Sequence, residues 1–254
     1  MKRRQLLGYT GAGLGAALAL GVRNSALAQS SGVTIKSLGH TAFLFTGGGR
    51  RILVNPFRPV GCTAGFPSPA VDADIVMISS RLFDEGYLNN LPGNPRTLTE
   101  PGIYDFDNLR VQGILTPHDR EGGRRFGNNT VWKWTQGGVT IVHMGGAAAP
   151  LGVEEQILLG RPDVMLVPVG GGPKAYTAAE AVQAVQVLRP KIVIPTHYLT
   201  AGAGESCDLD PVDNFLALMP GTPVTRASSG SLGIRPNDLP NEGMRIQVYQ
   251  SPRN

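Results

Sequence analysis

Short apolar runs broken by turn residues fill the first half of this chain. Val33 to Leu38, Thr41 to Thr46 and Arg51 to Asn55 alternate or cluster apolar side chains, with Gly47-Gly48-Gly49 between the last two. That is the pattern of successive β-strands joined by tight turns. Asp74 to Ser79 is nearly continuous in apolar residues, as expected of a strand buried on both faces. Tyr104 to Leu115 and Thr130 to Met144 predict further strands, the latter folded at Gly137-Gly138.

The second half changes character. Thr177-Ala178-Ala179-Glu180 forms a capping box, Ala181, Ala184, Val185 and Leu188 make an apolar stripe, and Pro190 ends the predicted helix. Val164 to Val169 before it and Lys191 to Pro195 after it are strand-like, which predicts a βαβ unit with parallel strands. Asp210-Pro211-Val212-Asp213 opens a short helix through Leu218, and Met244 to Gln250 is a last strand. Strand-rich segments without regular β-α alternation predict two sheets packed face to face with outer helices, rather than one doubly wound sheet.

All four histidines fall at or just past the end of a strand-like run: His40, His118, His143 and His197. Strand ends in layered folds meet at a sheet edge, where loops carry chemistry on a rigid scaffold. Imidazoles delivered there from four distant segments point to a metal or acid/base centre.

Residues 1–28 read as an export signal. Lys2-Arg3-Arg4 is a basic head, Leu6 to Gly21 an apolar run, and Ala26-Leu27-Ala28 a small-residue cleavage site. Arg3-Arg4-Gln5-Leu6-Leu7 resembles a twin-arginine signal, whose substrates are exported folded. The expected destination is a bacterial periplasm or a thylakoid lumen, with no stable membrane span once the signal is cleaved. The segment carries four of the 23 basic residues and no acid, so the 19 remaining are balanced by 19 acidic ones. The formal charge of +4 therefore belongs to the signal, and nothing calls for a nucleic-acid partner. Residues 29–254 fit one domain. Cys62 and Cys207 are able to pair in an oxidising compartment, although the sequence does not show whether they are close.

The ordered set of segments around these histidines resembles the metallo-β-lactamase superfamily, in its lactonase-like branch. The matching pieces are Leu38-Gly39-His40-Thr41-Ala42-Phe43-Leu44, Arg51-Ile52-Leu53-Val54-Asn55-Pro56-Phe57, Asp74-Ile75-Val76-Met77-Ile78-Ser79-Ser80, Val142-His143-Met144-Gly145-Gly146, Val167-Pro168-Val169-Gly170-Gly171-Gly172 and Ile194-Pro195-Thr196-His197-Tyr198. The resemblance implies an α+β fold, a four-layered αββα sandwich, and a hydrolytic metal centre. Its metal signature, His-x-His-x-Asp-His, is degenerate here. Ser80 and Leu82 stand for the first two histidines, Glu85 for the third, and Gly146 for the later bridging aspartate, while Asp84, His143 and His197 are retained.

The resemblance thus implies Asp84, Glu85, His143 and His197 as candidate metal ligands, and Asp84 and His118 as candidate catalytic groups. Loss of the bridging carboxylate makes a two-metal centre improbable. Two alternatives stay open. One divalent metal (Zn, Mn or Mg) held by Asp84, His197 and either Glu85 or His143 would support hydrolysis of an ester, lactone or phosphoester. Alternatively the pocket is metal-free, with Arg81 or an arginine of the 119–125 segment neutralising the acids, and the protein binds a small molecule or a protein partner without catalysis. On this reading His40 packs near the centre without ligating.

Overall fold

The computed structural model describes residues 31–227 and 230–250, so the expected export segment lies outside the described residues. Among them, no helix is long and apolar enough to cross a membrane. The chain begins with strands β1 (Val33–Gly39), β2 (Ala42–Gly47), β3 (Arg50–Val54), β4 (Ile75–Met77) and β5 (Arg96–Leu98). It continues through β6 (Gly102–Phe106), β7 (Leu109–Pro117), β8 (Asn128–Gln136) and β9 (Val139–His143). Helix α1 (Val153–Leu159), β10 (Val164–Pro168), α2 (Ala178–Leu188), β11 (Ile192–Thr196), α3 (Val212–Ala217), β12 (Val224–Arg226), β13 (Ser231–Ile234) and β14 (Arg245–Val248) complete it.

The strands form two mixed sheets, ordered β13-β1-β2-β3-β4-β5 and β12-β14-β11-β10-β9-β8-β7-β6. Their inner faces enclose one apolar core, with Ile35, Phe45 and Ile52 of the first sheet against Trp132, Trp134 and Ile194 of the second. The indole N–H of Trp132, which must find an acceptor once buried, donates to the Ile78 carbonyl at 3.1 Å and so joins the second sheet to the first beside the site. The outer face of the second sheet is covered by the three α-helices, through Leu159, Ala181, Val185, Leu188 and Phe215. The first sheet's outer apolar residues Leu53, Val76 and Ile78 are instead covered by irregular segments bearing Val71, Leu88 and Leu91. This is the expected α+β sandwich, with one outer layer made of loops.

The βαβ unit forms as the sequence predicts. Thr177 caps α2, Glu180 completes the box, and β10 pairs in parallel with β11. The pairings also fix direction. In the first sheet β1, β3 and β4 run the same way, and in the second β7, β9, β10 and β11 do. Every histidine therefore sits at the C-terminal end of one of these co-directional strands.

Cys62 and Cys207 form a disulfide across a sequence separation of 145. By chain entropy alone a closed loop of that size stabilises by roughly 5 kcal/mol, and such bonds usually deliver about 2–4. Replacing both cysteines by serine should lower the urea-unfolding free energy by about 2–4 kcal/mol. Titratable thiols in denatured, unreduced mature protein would contradict the pairing.

Candidate metal site

Glu85 reaches the site from a tight turn after β4, in which its amide and that of Gly86 both bond the Leu82 carbonyl. Its side chain is completely buried. A carboxylate taken out of water has to be paired or hydrogen-bonded. Glu85 Oε2 accepts from the Ser80 hydroxyl at 3.0 Å and lies 2.9 Å from His118 Nε2, while Oε1 is 3.5 Å from His197 Nδ1. Burial opposes a charge on His118, but the Glu85 carboxylate outweighs it by charge and hydrogen bonding, so the His118 pKa is raised. Glu85 and His118 form a buried hydrogen-bonded pair beneath the sheet edge.

Gly146 explains how the carboxylate fits. A Cβ at this position would lie 2.5 Å from His118 Cε1 and closer still to Glu85 Oε1. The volume that a side chain at 146 would enter is thus taken by the Glu85 carboxylate and the His118 ring.

The other side of Glu85 carries a different group. His40, Asp84 and His197 each present a ligating atom, all within 4.8 Å of one another. The rings of His40 and His197 are 4.2 Å apart. Burial lowers the pKa of both, and for His197 the charges of His40, Lys174 and His118 add to it. Neutral imidazoles are the form that binds metal. His40 Nε2 and His197 Nδ1 are buried without a hydrogen-bond partner, a condition that calls for a ligand. Asp84 is mostly buried, which alone would raise its pKa, but Lys174 and His40 bring it below the usual carboxylate range. Lys174 makes a short ion pair with Asp84. These three donors fit one divalent ion.

Strained turns deliver these groups. His40 and His197 have φ of 53° and 52°, as does Asn55 at 52° beside them, a region that costs non-glycine residues of order 1 kcal/mol. The Asn55 side chain accepts from the Ser79 amide at 2.8 Å, tying the end of β3 to the end of β4. Gly170 lies so close to the His197 carbonyl that a Cβ would strike it. The cavity over the group measures about 320 Å³, a small-molecule size. Apolar walls (Leu82, Phe83, Phe126, Leu209) surround Asp84, Lys174 and His197.

The remaining expected residues fall differently. His143 is fully buried, and both its ring nitrogens are engaged. Nε2 donates to the Thr41 carbonyl at 3.0 Å and Nδ1 accepts from the Gly145 amide at 3.1 Å. It therefore joins the two sheets instead of facing the cavity group. His118 does not line the cavity. The arginines expected to neutralise the acids lie elsewhere, Arg81 on Glu100 and Arg120 on Glu180. The cation on Asp84 is Lys174, a residue not among the expected site residues, and His40, expected to pack near the centre, stands in the candidate ligand group. The signal for Lys174 was its place directly after a glycine-rich strand-end loop.

A face-to-face sandwich with imidazoles and carboxylates gathered at one edge defines a metallo-hydrolase type of fold. The family described as beta-lactamase superfamily domain is matched over residues 34–197, and the chain belongs to it. A "UPF0173 metal-dependent hydrolase" of Thermococcus onnurineus is 28% identical over 197 residues, 66% of this chain and 85% of that protein. The crystal structure of a proposed Zn-dependent hydrolase of the metallo-β-lactamase superfamily from Thermotoga maritima superposes with a TM-score of 0.68 at 27% identity, covering 85% of this chain and 98% of that one. An isothiocyanate hydrolase from Delia radicum gut bacteria, 13% identical with a TM-score of 0.61 over 80% of this chain and 99% of its own, shares the fold.

Two expectations follow from this geometry. Gly146→Ala should cost about 1–3 kcal/mol in chemical denaturation by overpacking, and less in a Glu85→Ala background. Equal costs in the two backgrounds would mean that Glu85 does not fill the space. The His143 pKa is pushed down to about 4 by burial, against a partial offset from the Thr41 carbonyl. Between pH 4 and 6.5 the unfolded chain then takes up the proton that the folded ring refuses. His143 should therefore contribute roughly 3 kcal/mol that is full above pH 6.5 and lost as pH falls toward 4. Nitrogen-15 NMR should find the neutral Nε2–H tautomer at pH 6, whereas an imidazolium at that pH would refute the assignment.

Proposed function

We propose that this chain is an exported metal-dependent hydrolase reduced to a single metal position, acting on a small ester, lactone or phosphoester. The observation that carries it is the His40, Asp84 and His197 group, in which His40 Nε2 and His197 Nδ1 are buried without a hydrogen-bond partner. Those three residues would hold one divalent ion, of which zinc, manganese and magnesium are candidates. Two imidazoles and one carboxylate leave positions open for a reactant. Such an ion, when bound, polarises a carbonyl or phosphoryl oxygen and acidifies water at neutral pH. The names of the metal-dependent hydrolases it resembles support the class.

The chain's own residues have separate tasks in this reading. Asp84 faces the cavity and is the candidate catalytic carboxylate. Glu85 and His118 act from beneath, with His118 holding the Glu85 carboxylate and keeping a proton in reserve at Nε2. The apolar walls exclude water from the uncharged part of a substrate. Export to a periplasm or thylakoid lumen accords with the signal-like residues 1–28 and with the disulfide, a bond rare in reducing compartments. One observation favours a second reading. Lys174 already neutralises Asp84, as a metal-free binding module would require.

Elemental analysis of the processed protein separates the two readings. The hydrolase reading expects one divalent ion per chain and turnover of a lactone or phosphoester panel. Both should be lost in His40→Ala and in Asp84→Ala, with turnover falling at least about a hundredfold. Metal-free protein that binds such compounds without turnover would replace it with the binding module.

A further inference from the structure

Lys174 is held in place by more than its own ion pair. Its loop runs Gly170-Gly171-Gly172-Pro173, and Gly171 and Gly172 take φ of 70° and 68°. The carbonyls on either side of it, Gly172 and Ala175, both accept from the Arg120 guanidinium at 2.9 Å. Arg120 is in turn fixed by two bonds to Glu180 in the first turn of α2, one of 2.8 Å from Nε and one of 2.5 Å from its terminal nitrogen. A third anchor acts from the same loop. Asp119 accepts four backbone N–H groups, from Glu121, Gly123, Arg125 and Phe126. This sets the Phe126 ring 6.0 Å from the Lys174 ammonium. Glu180, Arg120 and Asp119 thus aim one ammonium at one carboxylate, at the edge of the cavity that also exposes His197.

We propose that Lys174 is a tethered cation that competes with the metal for Asp84, so that the site is loaded only when Lys174 swings away. The inference rests on the single-metal reading above and deepens it. An ammonium on the carboxylate uses the lone pairs that a metal would take, and two cations cannot share one carboxylate at contact distance without repulsion. The clamped loop makes the paired state the resting one, so the apparent metal affinity is the intrinsic affinity reduced by the fraction of chains in which Lys174 is displaced. The long, flexible lysine stem, about a quarter exposed, makes the exchange possible without moving the backbone. A substrate bearing an anionic group gives the displaced ammonium a new partner, which couples metal loading to substrate binding.

Calorimetric titration of chelator-stripped, folded protein with Zn²⁺ tests this without reference to turnover. Lys174→Met should bind one ion per chain about tenfold more tightly or better, and adding His40→Ala should abolish that binding. Arg120→Gln, which frees the loop, should shift affinity the same way but less. Arg125→Gln removes a cation that stacks on Phe126 at 4.8 Å without touching Asp84. It should therefore leave affinity within about twofold, which separates competition at Asp84 from a general loss of positive charge. Equal affinity in wild type and Lys174→Met, with His40-dependent binding in both, overturns the role of Lys174 and leaves the single-metal reading standing. No His40-dependent binding in either protein overturns that reading itself. Should Lys174→Met fail to fold by circular dichroism, Lys174→Gln serves as the neutral variant with the same expectations.

Discussion

A fully buried carboxylate sits at the junction of the two sheets, and the residues around Glu85 satisfy one of its two oxygens. Ser80 gives it a hydroxyl, His118 a ring nitrogen and Gly146 the room. Removing one partner of such a buried pair typically costs about 3–5 kcal/mol, because the other charge is left stranded. The departures from the family's metal signature at these positions are therefore one coupled change. A glutamate at 85 is longer than the aspartate expected at 146, and it reaches the same volume from the opposite side. Small residues at 80 and 146 are the conditions for it to do so. His118, at the end of the long β7, comes within 2.9 Å of the carboxylate, which raises its pKa.

That coupled change divides the site. On the Glu85 side the carboxylate is bonded through Oε2 to Ser80 and His118, while Oε1 and His118 Nδ1 are buried without a hydrogen-bond partner. On the Asp84 side a carboxylate and the His197 ring line a cavity, His40 packs against His197 behind them, and Lys174 from a separate loop pairs with the carboxylate. His143 belongs to neither half. With one nitrogen on Thr41 and the other on Gly145, it ties β9 to the turn between β1 and β2. Its ring is a bond between the sheets, and its low pKa is the consequence of complete burial.

The strand order and the edge at which chemistry gathers were legible in the sequence, because each histidine follows a run whose pattern names it a strand. The capping box at Thr177 and its apolar stripe made α2 equally readable. Helix α1 was not, because Val153 and Ile157 are exposed and only Leu159 is buried, which leaves no stripe to detect. Strands β5 and β12 have three residues each, and β13 has four, so their existence depends on a neighbour's edge and not on their own pattern. The choice among charged groups was the least legible part. Lys174 meets Asp84 across a separation of 90 residues. The nearer Arg81 turns outward to Glu100, a preference that only the folded surface sets. His40 looked like a packing residue because nothing local indicates that its ring will stand against that of His197.

Rigidity is the last link between the fold and the chemistry. His40, Asn55 and His197 all hold left-handed backbone angles at strand ends, a cost that persists only where surrounding structure over-determines the conformation. Here the over-determination is visible. Gly170 presses on the His197 carbonyl and donates to it at 2.9 Å, Asn55 ties β3 to β4, and the disulfide anchors Cys62, on the cavity wall, to Cys207. The imidazoles are thus fixed before any ligand arrives, and their orientation costs nothing at the moment of binding. Against that frame the lysine side chain has four rotatable bonds and one ionic contact. A stiff set of neutral donors beside a single movable cation concentrates control of charge in one residue, and that division follows from burying a carboxylate where the family places a histidine.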